Sequence, residues 1–323
     1  MDFLTHFRSN LFNVNFDNFD EYALNLFRYQ ASNNESYKAY LGYLNIKPTS
    51  INQISDIPFL PIEFFKNKLI QSGKWETQKV FKSSGTTDTG RSNHHLDSLN
   101  FYHEVTWRNA LNFFKDLEQY EIIALLPSYL EQGDSSLIEM IKHFISQCHV
   151  NSDFHLHNYH QLSERIKKSK NPVMLFGVTY ALLDFAEYTG VINKSNLTLV
   201  ETGGMKGRKK EITLMEVHDK LKSTFKGSEI YSEYGMTELM SQAYGKEGEF
   251  RFPQWCKPLV RDLSDPFQIN SSGSGALNII DLANAHSIAF IETKDLVKLG
   301  KDQNFRILGR LDNSDIRGCS LLI

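Results

Sequence analysis

The chain has 323 residues, of which 41% are hydrophobic and 23% are charged, and its formal net charge is -3 at pH 7. This is an ordinary globular composition, because disordered chains carry fewer apolar residues and more charge. A slightly acidic chain also argues against general nucleic-acid binding, which needs a clustered basic surface, so we predict no nucleic-acid partner.

The N-terminus, the apolar runs and the cysteines indicate the compartment. The first residues lack the basic segment and apolar run of a signal peptide, and the longest apolar runs are far too short to span a bilayer. The three cysteines, Cys148, Cys256 and Cys319, are odd in number and far apart, which does not favour a disulfide framework. We therefore predict a cytoplasmic protein without a membrane span.

Apolar residues recur at helical spacing over 17–45, with a break at Asn33-Asn34, and again after two candidate N-caps, Asp97 and Ser98. Short apolar runs then alternate with helical patterns. Strands are predicted at 121–126, 172–177, 197–201 and 228–232, and helices at 135–148, 180–188 and 210–225. Buried strands that alternate with helices indicate a mostly parallel sheet. The predicted class is α/β, with mostly parallel sheets layered with helices.

The pattern changes near the C-terminus. Short strands separated by turn-like polar sequence are predicted at 276–282, 287–291 and 305–308, which indicates a small antiparallel region. We predict that residues 1–274 form an α/β core that begins with a helical segment. A small β meander and hinge-like segment should follow over 275–323, in one continuous catalytic domain.

A loop at residues 82–92 contains two glycines and six hydroxyl side chains, after a strand-like run and before polar, helix-starting sequence. Glycine lets backbone N–H groups turn toward a ligand, and hydroxyl groups add donors for phosphate oxygens. The loop is one residue from a Walker A pattern, Gly85-x-x-x-x-Gly90-Arg91-Ser92, with arginine where lysine belongs. A P-loop ATPase or kinase is therefore one alternative.

A second dense segment follows the strand predicted at 228–232 and contains Tyr234, Gly235, Thr237 and Glu238. The ring suits a base, the hydroxyl suits a phosphate, and the carboxylate suits Mg²⁺. Ligands of parallel sheets bind at the carboxyl ends of strands, so this turn and the one at Gly203-Gly204 should share one edge.

Two groups of histidines are weaker candidates. His94 and His95 follow the phosphate loop; solvent-facing loop histidines are the default interpretation, and contact with a phosphate or an acyl carboxylate is the alternative. His155, His157 and His160 alternate with apolar residues, but no acidic or cysteine partner accompanies them as in metal sites.

Taken together, the motifs resemble those of adenylate-forming enzymes from about residue 58 to the end. Residues 83–87 resemble their phosphate loop, and 234–238 match Tyr-Gly-x-Thr-Glu. Asp295 and Gly309-Arg310 resemble a ribose-binding Asp and a later Gly-Arg. The resemblance implies ATP and Mg²⁺, with Thr237 acting at the α-phosphate and Glu238 holding the metal. The implied nucleotide-binding residues are Ser83, Ser84, Gly85, Thr86, Thr87, Gly204, Tyr234, Gly235, Asp295 and Arg310.

Within that superfamily, the chain most resembles the acyl-protein synthetases of bacterial bioluminescence operons, the LuxE type. The resemblance rests on the sequence segment at 57–66, on the shortness of the chain and on the C-terminal sequence segment at 315–321. It implies a ligase that forms a carbon–sulfur bond: a fatty or other hydrophobic acid is activated as acyl-AMP and passed to a cysteine. Cys319 corresponds to a cysteine implicated in this transfer, and a reductase or carrier protein is the implied acceptor partner.

The chain departs from the family pattern at several positions. Asp88 replaces the second glycine of the loop, and Lys294 replaces the glycine before Asp295. The usual C-terminal lid and its catalytic lysine are also expected to be missing. Four cations are candidates to replace that lysine: Lys82, Lys206, Arg208 and Lys257. These departures leave open a second alternative, a non-catalytic adenylate-binding partner of an acyl reductase or carrier protein.

Overall fold

The computed structural model describes residues 2–83, 90–126, 133–155, 158–203 and 212–311. Among these residues, no helix is long and apolar enough to cross a membrane. The described ranges contain nine α-helices: α1 (Phe3–Asn10), α2 (Phe19–Asn33), α3 (Glu35–Tyr43), α4 (Phe64–Asn67), α5 (Leu99–Phe113), α6 (Ser136–Gln147), α7 (Tyr159–Lys168), α8 (Thr179–Thr189) and α9 (Leu214–Thr224).

The strands are short, and most of their residues in the middle of the chain are buried. Those within the described ranges are β1 (Leu60–Pro61), β2 (Lys79–Lys82), β3 (Asn93–Leu96), β4 (Glu121–Leu125), β5 (Asp153–Phe154), β6 (Val173–Gly177), β7 (Ile192–Asn193), β8 (Leu197–Glu201), β9 (Phe225–Lys226), β10 (Glu229–Tyr234), β11 (Ala243–Lys246), β12 (Glu249–Arg251), β13 (Cys256–Arg261), β14 (Ile269–Asn270), β15 (Gly273–Asp281), β16 (Phe290–Leu299) and β17 (Phe305–Arg310).

Thirteen of these strands form one sheet, in the order β14-β13-β15-β16-β17-β12-β11-β10-β8-β6-β4-β5, with β1 added beside β16. The strands β10, β8, β6, β4 and β5 run parallel, and the rest of the ordered path is antiparallel. Helix α5 packs on α6, and α8 packs on both α7 and α9. The predicted α/β class is confirmed.

Local chemistry explains why the predicted elements begin where they do. The Ser98 hydroxyl accepts a hydrogen bond from the Phe101 amide and caps α5, so Ser98 is the correct one of the two predicted N-caps. Thr213 and Glu216 form a capping box at the start of α9. Asn34 ends α2 and caps α3, which accounts for the predicted break.

The antiparallel strands begin earlier in the chain than predicted, at Ala243. Strands β11, β12, β13 and β14 precede residue 275 and were not predicted. β12 has only three residues, too few to show a strand period in the sequence.

The N-terminal helices pack against the C-terminal strands. The Gln30 amide of α2 is buried; it donates to the Asn284 and Ala285 carbonyls and accepts from the Ala289 amide. In β1, Leu60 pairs with Ile291 of β16. Residues far apart in sequence therefore share one core.

Candidate active site

The predicted phosphate loop connects two strands. In the β2–β3 ribbon, Phe81 pairs with His94, and Lys82 pairs with Asn93. The ribbon is closed by the Ser83 amide, which donates to the Ser92 carbonyl at 3.1 Å, and by the Ser92 amide, which donates to the Ser83 hydroxyl at 3.0 Å. A P-loop joins a strand directly to a helix, whereas α5 begins only at residue 99. The helix-starting sequence expected directly after the loop is therefore strand β3, and this arrangement does not favour the Walker A alternative.

Six residues of this loop, 84–89, lie outside the described residues, and with them four predicted nucleotide-binding residues: Ser84, Gly85, Thr86 and Thr87. Predicted site residues Gly204 and Cys319 also lie outside the described ranges. The remaining predicted residues are described, and they fall into two groups that can be examined.

The first group lies at the end of β10. The Tyr234 hydroxyl donates to Asp295 Oδ2 at 2.6 Å. Asp295 pairs in register with Arg310 across β16 and β17, and Arg310 Nε lies 3.4 Å from Asp295 Oδ1. Burial, followed by the charge of Asp295, raises the pKa of Tyr234 well above its usual range, so the phenol stays protonated and donates. The structure brings together three residues that were predicted to contact the nucleoside.

Gly235, which follows, lies close to two side chains. A Cβ atom built on Gly235 would lie 2.5 Å from Glu233 Oε1 and 3.3 Å from the Gln242 side chain. Because β10 pairs in parallel with β8, with Ser232 beside Glu201, this turn and Gly203 leave the sheet at the same edge. The prediction that these two turns share one edge is confirmed.

The second group joins the β2–β3 ribbon to Thr237 and Glu238. His94 Nδ1 lies 2.8 Å from the Thr237 carbonyl oxygen. The Ser92 side chain lies near enough to the Glu238 carboxyl group to favour its ionised form. A carbonyl oxygen only accepts, so His94 Nδ1 carries the proton. The Asn284 amide donates to the Glu238 carbonyl at 2.8 Å. Two side chains therefore hydrogen-bond to this dipeptide, and a third lies beside it.

His94 differs from the default interpretation of a solvent-facing loop histidine. Its side chain is fully buried in β3 and meets the Phe65 ring edge-on, with ring centroids 5.7 Å apart. Burial lowers the pKa of His94 to about 4, so the imidazole is neutral near pH 7. His94 links the ribbon to Thr237 and carries no charge to a phosphate.

Glu238 is the buried carboxyl group of the site. Burial raises its pKa, while the Ser92 side chain and the charges of Arg310 and Lys66 oppose that increase. A bound cation would act in the same direction as these charges and favour the carboxylate. Among the described residues, no cluster of three or more His, Cys, Asp or Glu could hold a metal ion. If Mg²⁺ bound here, Glu238 would be its one described protein carboxylate, and the phosphates of a substrate would have to supply further ligands.

Two described candidate cations already have partners. Lys82 Nζ lies 3.4 Å from Asp134 Oδ2, and both side chains are well exposed. Lys257 Nζ lies 2.7 Å from Asp20 Oδ1 and over the Phe19 ring, so α2 fixes its position. The other two candidates, Lys206 and Arg208, lie outside the described residues.

Lys294, the departure beside Asp295, has its own partner. It forms an ion pair with Glu63. Consecutive residues of a strand point to opposite faces, so Lys294 points away from the face on which Asp295 meets Tyr234. The lysine therefore leaves the Tyr234–Asp295 contact intact.

The two described cysteines are unsuited to nucleophilic chemistry. Burial raises the pKa of the Cys148 thiol to about 12 and that of Cys256 well above its usual range. A nucleophilic cysteine needs a substantial thiolate fraction. The predicted role of Cys319 is untouched by this result, because that residue lies outside the described ranges.

Sequence reasoning missed Ser92 as a neighbour of Glu238, and missed Asn284 entirely. Ser92 was counted only among the hydroxyl groups of the loop. Asn284 lies in a single turn of 3-10 helix at Leu282–Asn284, 46 residues beyond Glu238. Nothing in the sequence pairs such an asparagine with a distant carbonyl.

The overall arrangement matches solved structures of acid-activating enzymes. 2-Hydroxyisobutyryl-CoA ligase, in complex with 2-HIB-AMP and CoA in the thioesterification state, aligns with a TM-score of 0.68 and 13% identity over 94% of this chain and 71% of its own. ATP-bound MatB from Rhodopseudomonas palustris aligns with a TM-score of 0.53 and 15% identity, over 74% and 49%. O-succinylbenzoate CoA synthetase (MenE) from Bacillus subtilis, in complex with AMP, aligns with a TM-score of 0.52 and 16% identity, over 73% of this chain and 50% of its own.

The chain has the fold of adenylate-forming enzymes. At these low identities the similarity establishes the fold alone, and it confirms the fold that the motifs predicted. The chain spans about half the length of MatB. No protein-family model and no curated protein sequence matches it. The narrower resemblance to LuxE-type acyl-protein synthetases stays a prediction.

Proposed function

We propose that this protein uses ATP to activate a carboxylic acid as an acyl-adenylate and then transfers the acyl group to a thiol. One observation carries the proposal: the stem of the predicted phosphate loop contacts the Thr237–Glu238 segment directly, through the hydrogen bond between His94 and the Thr237 carbonyl. Two motifs that are 143 residues apart in sequence, measured from His94 to Thr237, thus meet at one sheet edge. Tyr234 and Asp295 lie beside them.

In this proposal, ATP binds along that edge. Tyr234 lines the adenine, and Asp295 and Arg310 hold the ribose. The phosphates bind the loop through backbone N–H groups and hydroxyl side chains. The phosphate-contacting residues are Ser83, Ser84, Gly85, Thr86 and Thr87, with Gly204 at the neighbouring turn.

The first chemical step is attack of the substrate carboxylate oxygen on the α-phosphorus. The new P–O bond forms as the bond to pyrophosphate breaks. Donors held in place around the phosphates would stabilise the charge that develops there. Thr237 assists at the α-phosphate, and Glu238 would hold Mg²⁺, which would supply positive charge to the phosphate oxygens.

The second step is attack of a thiolate on the acyl carbonyl carbon, with release of AMP and formation of a thioester. We propose Cys319, or a cysteine of an acceptor reductase or carrier protein, as this thiol, and a fatty or other hydrophobic acid as the substrate. The CoA in the 2-hydroxyisobutyryl-CoA ligase structure makes a small thiol a second candidate acceptor.

Exchange of labelled pyrophosphate into ATP, with a panel of carboxylic acids, tests the first step. We expect exchange to depend on an acid and to fall by about a hundredfold or more in Glu238→Ala, because removing a group that stabilises transition-state charge has effects of this size. Glu247→Ala is the matched control, since Glu247 is exposed and pairs only with Lys222 among described cations. Exchange that Glu238→Ala leaves unchanged would remove Glu238 from the mechanism.

The nucleotide product distinguishes the alternatives. AMP is expected, whereas ADP would support the P-loop alternative. Tight binding of an acyl reductase or carrier protein, with no pyrophosphate exchange in the presence of any carboxylic acid tested, would favour the non-catalytic alternative.

The acceptor is tested with a labelled fatty acid. We expect hydroxylamine-sensitive label on the protein, and its loss in Cys319→Ser with pyrophosphate exchange retained. Equal labelling of Cys319→Ser would contradict an acceptor role for Cys319, and a CoA thioester as the only product would identify the small thiol as acceptor.

A further inference from the structure

Glu233 lies at the end of β10, one residue before Tyr234. Neighbouring side chains of a strand point to opposite faces, so Glu233 points away from the Tyr234–Asp295 contact. Glu233 pairs in register with Tyr244 of β11. Burial, and then the charge of Glu233, raises the pKa of Tyr244 and of Tyr102 in α5. Glu233 therefore lies on the α5 side of the edge at which the adenylate would form.

The two carboxyl groups at this edge differ in their partners. The Glu201 carboxyl group accepts from the Thr179 hydroxyl and, at 2.7 Å, from the Gly203 amide. For Glu233, the described part of the chain supplies no hydrogen bond to its carboxyl group, although burial and then the charge of Glu201 raise its pKa to about 8. The residue as a whole is half-buried rather than fully buried.

Other polar atoms beside Glu233 are also unpaired. The Thr202 hydroxyl oxygen and the Gln242 amide oxygen are buried without a hydrogen-bond partner among the described residues. Thr202 follows Glu201, which pairs with Ser232, so the same register places Thr202 beside Glu233. Gly235 lies against both Glu233 and the Gln242 side chain. The Glu233 carboxyl group, the Gln242 side chain and the Thr202 hydroxyl thus form a small polar patch at this end of β8 and β10.

An unsubstituted alkyl chain would leave this patch unpaired. Each buried polar group without a partner costs about 1–3 kcal/mol, and a carboxylate costs more. A hydroxyl group would satisfy the patch, since it accepts from protonated Glu233 and donates to the Gln242 oxygen. An ammonium group would pair with ionised Glu233 and offset the repulsion from Glu201.

We propose that the acid activated by this protein carries a hydrogen-bond donor group, a hydroxyl or an ammonium, that binds Glu233. This inference rests on the proposed function, and it adds a polar group to the hydrophobic acid proposed above. Glu233 is four residues before Thr237, so an acid whose carboxylate lies at the α-phosphate could bring a nearby substituent to the patch.

The test is acid-dependent pyrophosphate exchange with matched sets of acids. Butanoate and octanoate are compared with derivatives that carry a hydroxyl or an amino group at each chain carbon in turn. We expect at least one derivative to exceed its parent acid by about tenfold or more in kcat/KM, the value of one satisfied buried polar group. Glu233→Leu should abolish or reverse this preference. Glu233→Gln should retain more of the wild-type kcat/KM with a hydroxy acid than with an amino acid.

The pH dependence separates the two donor groups. With an amino acid as substrate, kcat/KM should rise with pH up to about 8, because Glu233 must ionise to pair with the ammonium group. With a hydroxy acid this rise should be absent.

Glu229→Gln is the control, since Glu229 lies on the same strand but is exposed and pairs with Lys246. Far-ultraviolet circular dichroism checks that each variant is folded. Parent acids that equal or exceed every derivative, in both the wild type and Glu233→Leu, would overturn this inference and leave the proposed function standing. Failure of every acid to support exchange would overturn the proposed function and this inference with it.

Discussion

At the scale of single residues, the site depends on side chains that hold one another rather than on isolated charges. Tyr234 donates to Asp295, Asn284 donates to the Glu238 carbonyl, and His94 donates to the Thr237 carbonyl. The charged groups are thereby fixed before any ligand arrives. Such preorganisation is what electrostatic stabilisation of a transition state requires.

Tyr234→Phe tests the nucleoside contact. The change removes one hydrogen bond to a carboxylate but keeps the ring, so we expect KM for ATP to rise by about five- to tenfold, with kcat nearly unchanged. Tyr231→Phe is the control, because the Tyr231 hydroxyl makes only a long contact of 3.4 Å with Glu229. A fall in kcat with an unchanged KM for ATP would contradict a role for Tyr234 in binding the nucleoside.

At the scale of elements, the β2–β3 ribbon is fixed to the rest of the site by the packing of β3. The strand has only four residues, and His94 supplies both its buried contact with Phe65 and its hydrogen bond to Thr237. Position and stability of the ribbon therefore depend on a neutral imidazole.

This dependence predicts an acid-sensitive fold. His94 has a pKa of about 4 when folded and about 6.5 when unfolded, so between these values the unfolded chain binds the extra proton. The free energy of unfolding should fall as pH drops from 6.5 to 4, with His94 contributing about 1.4 kcal/mol per pH unit. Urea titrations of His94→Gln should show a shallower pH slope than the wild type by that amount. An unchanged slope would show that His94 is not the titrating group.

The elements that the sequence predicted well have a clear helical period or a continuous apolar run. Helices α2, α3, α6 and α8 and strands β4, β6, β8 and β10 lie within two residues of their predicted bounds, and α5 begins directly after Ser98, one of its two predicted caps. The short strands β3, β11 and β12 were missed, since three or four residues carry too little pattern and pairing with distant partners determines them. In the site, motifs indicated Tyr234, Asp295 and Glu238. Asn284 and the buried position of His94 depend on tertiary contacts that no local pattern encodes.

At the scale of the whole molecule, the N-terminal helices and the C-terminal strands form one core. Gln30 connects them through buried hydrogen bonds to Asn284, Ala285 and Ala289. Its removal would leave these backbone groups without their partner in the interior.

Gln30→Ala should therefore destabilise the entire protein by about 2–4 kcal/mol, since several buried backbone groups lose a partner. Thermal unfolding followed by circular dichroism should remain one transition, at a lower midpoint. Asn25→Ala, on the same helix at an exposed position, is the control and should change stability by less than about 0.5 kcal/mol. A separate early transition in Gln30→Ala would show that the helices unfold on their own.

The distance between the two motifs along the chain has a consequence for the order of events during synthesis. The ribbon at 79–96 leaves the ribosome long before Thr237 and Glu238, and Asp295 and Arg310 follow later still. Nascent chains that end before residue 310 therefore lack a group that the proposed ribose site needs. Nucleotide could stabilise the finished fold by mass action, but it could not guide the earlier stages of folding on the ribosome.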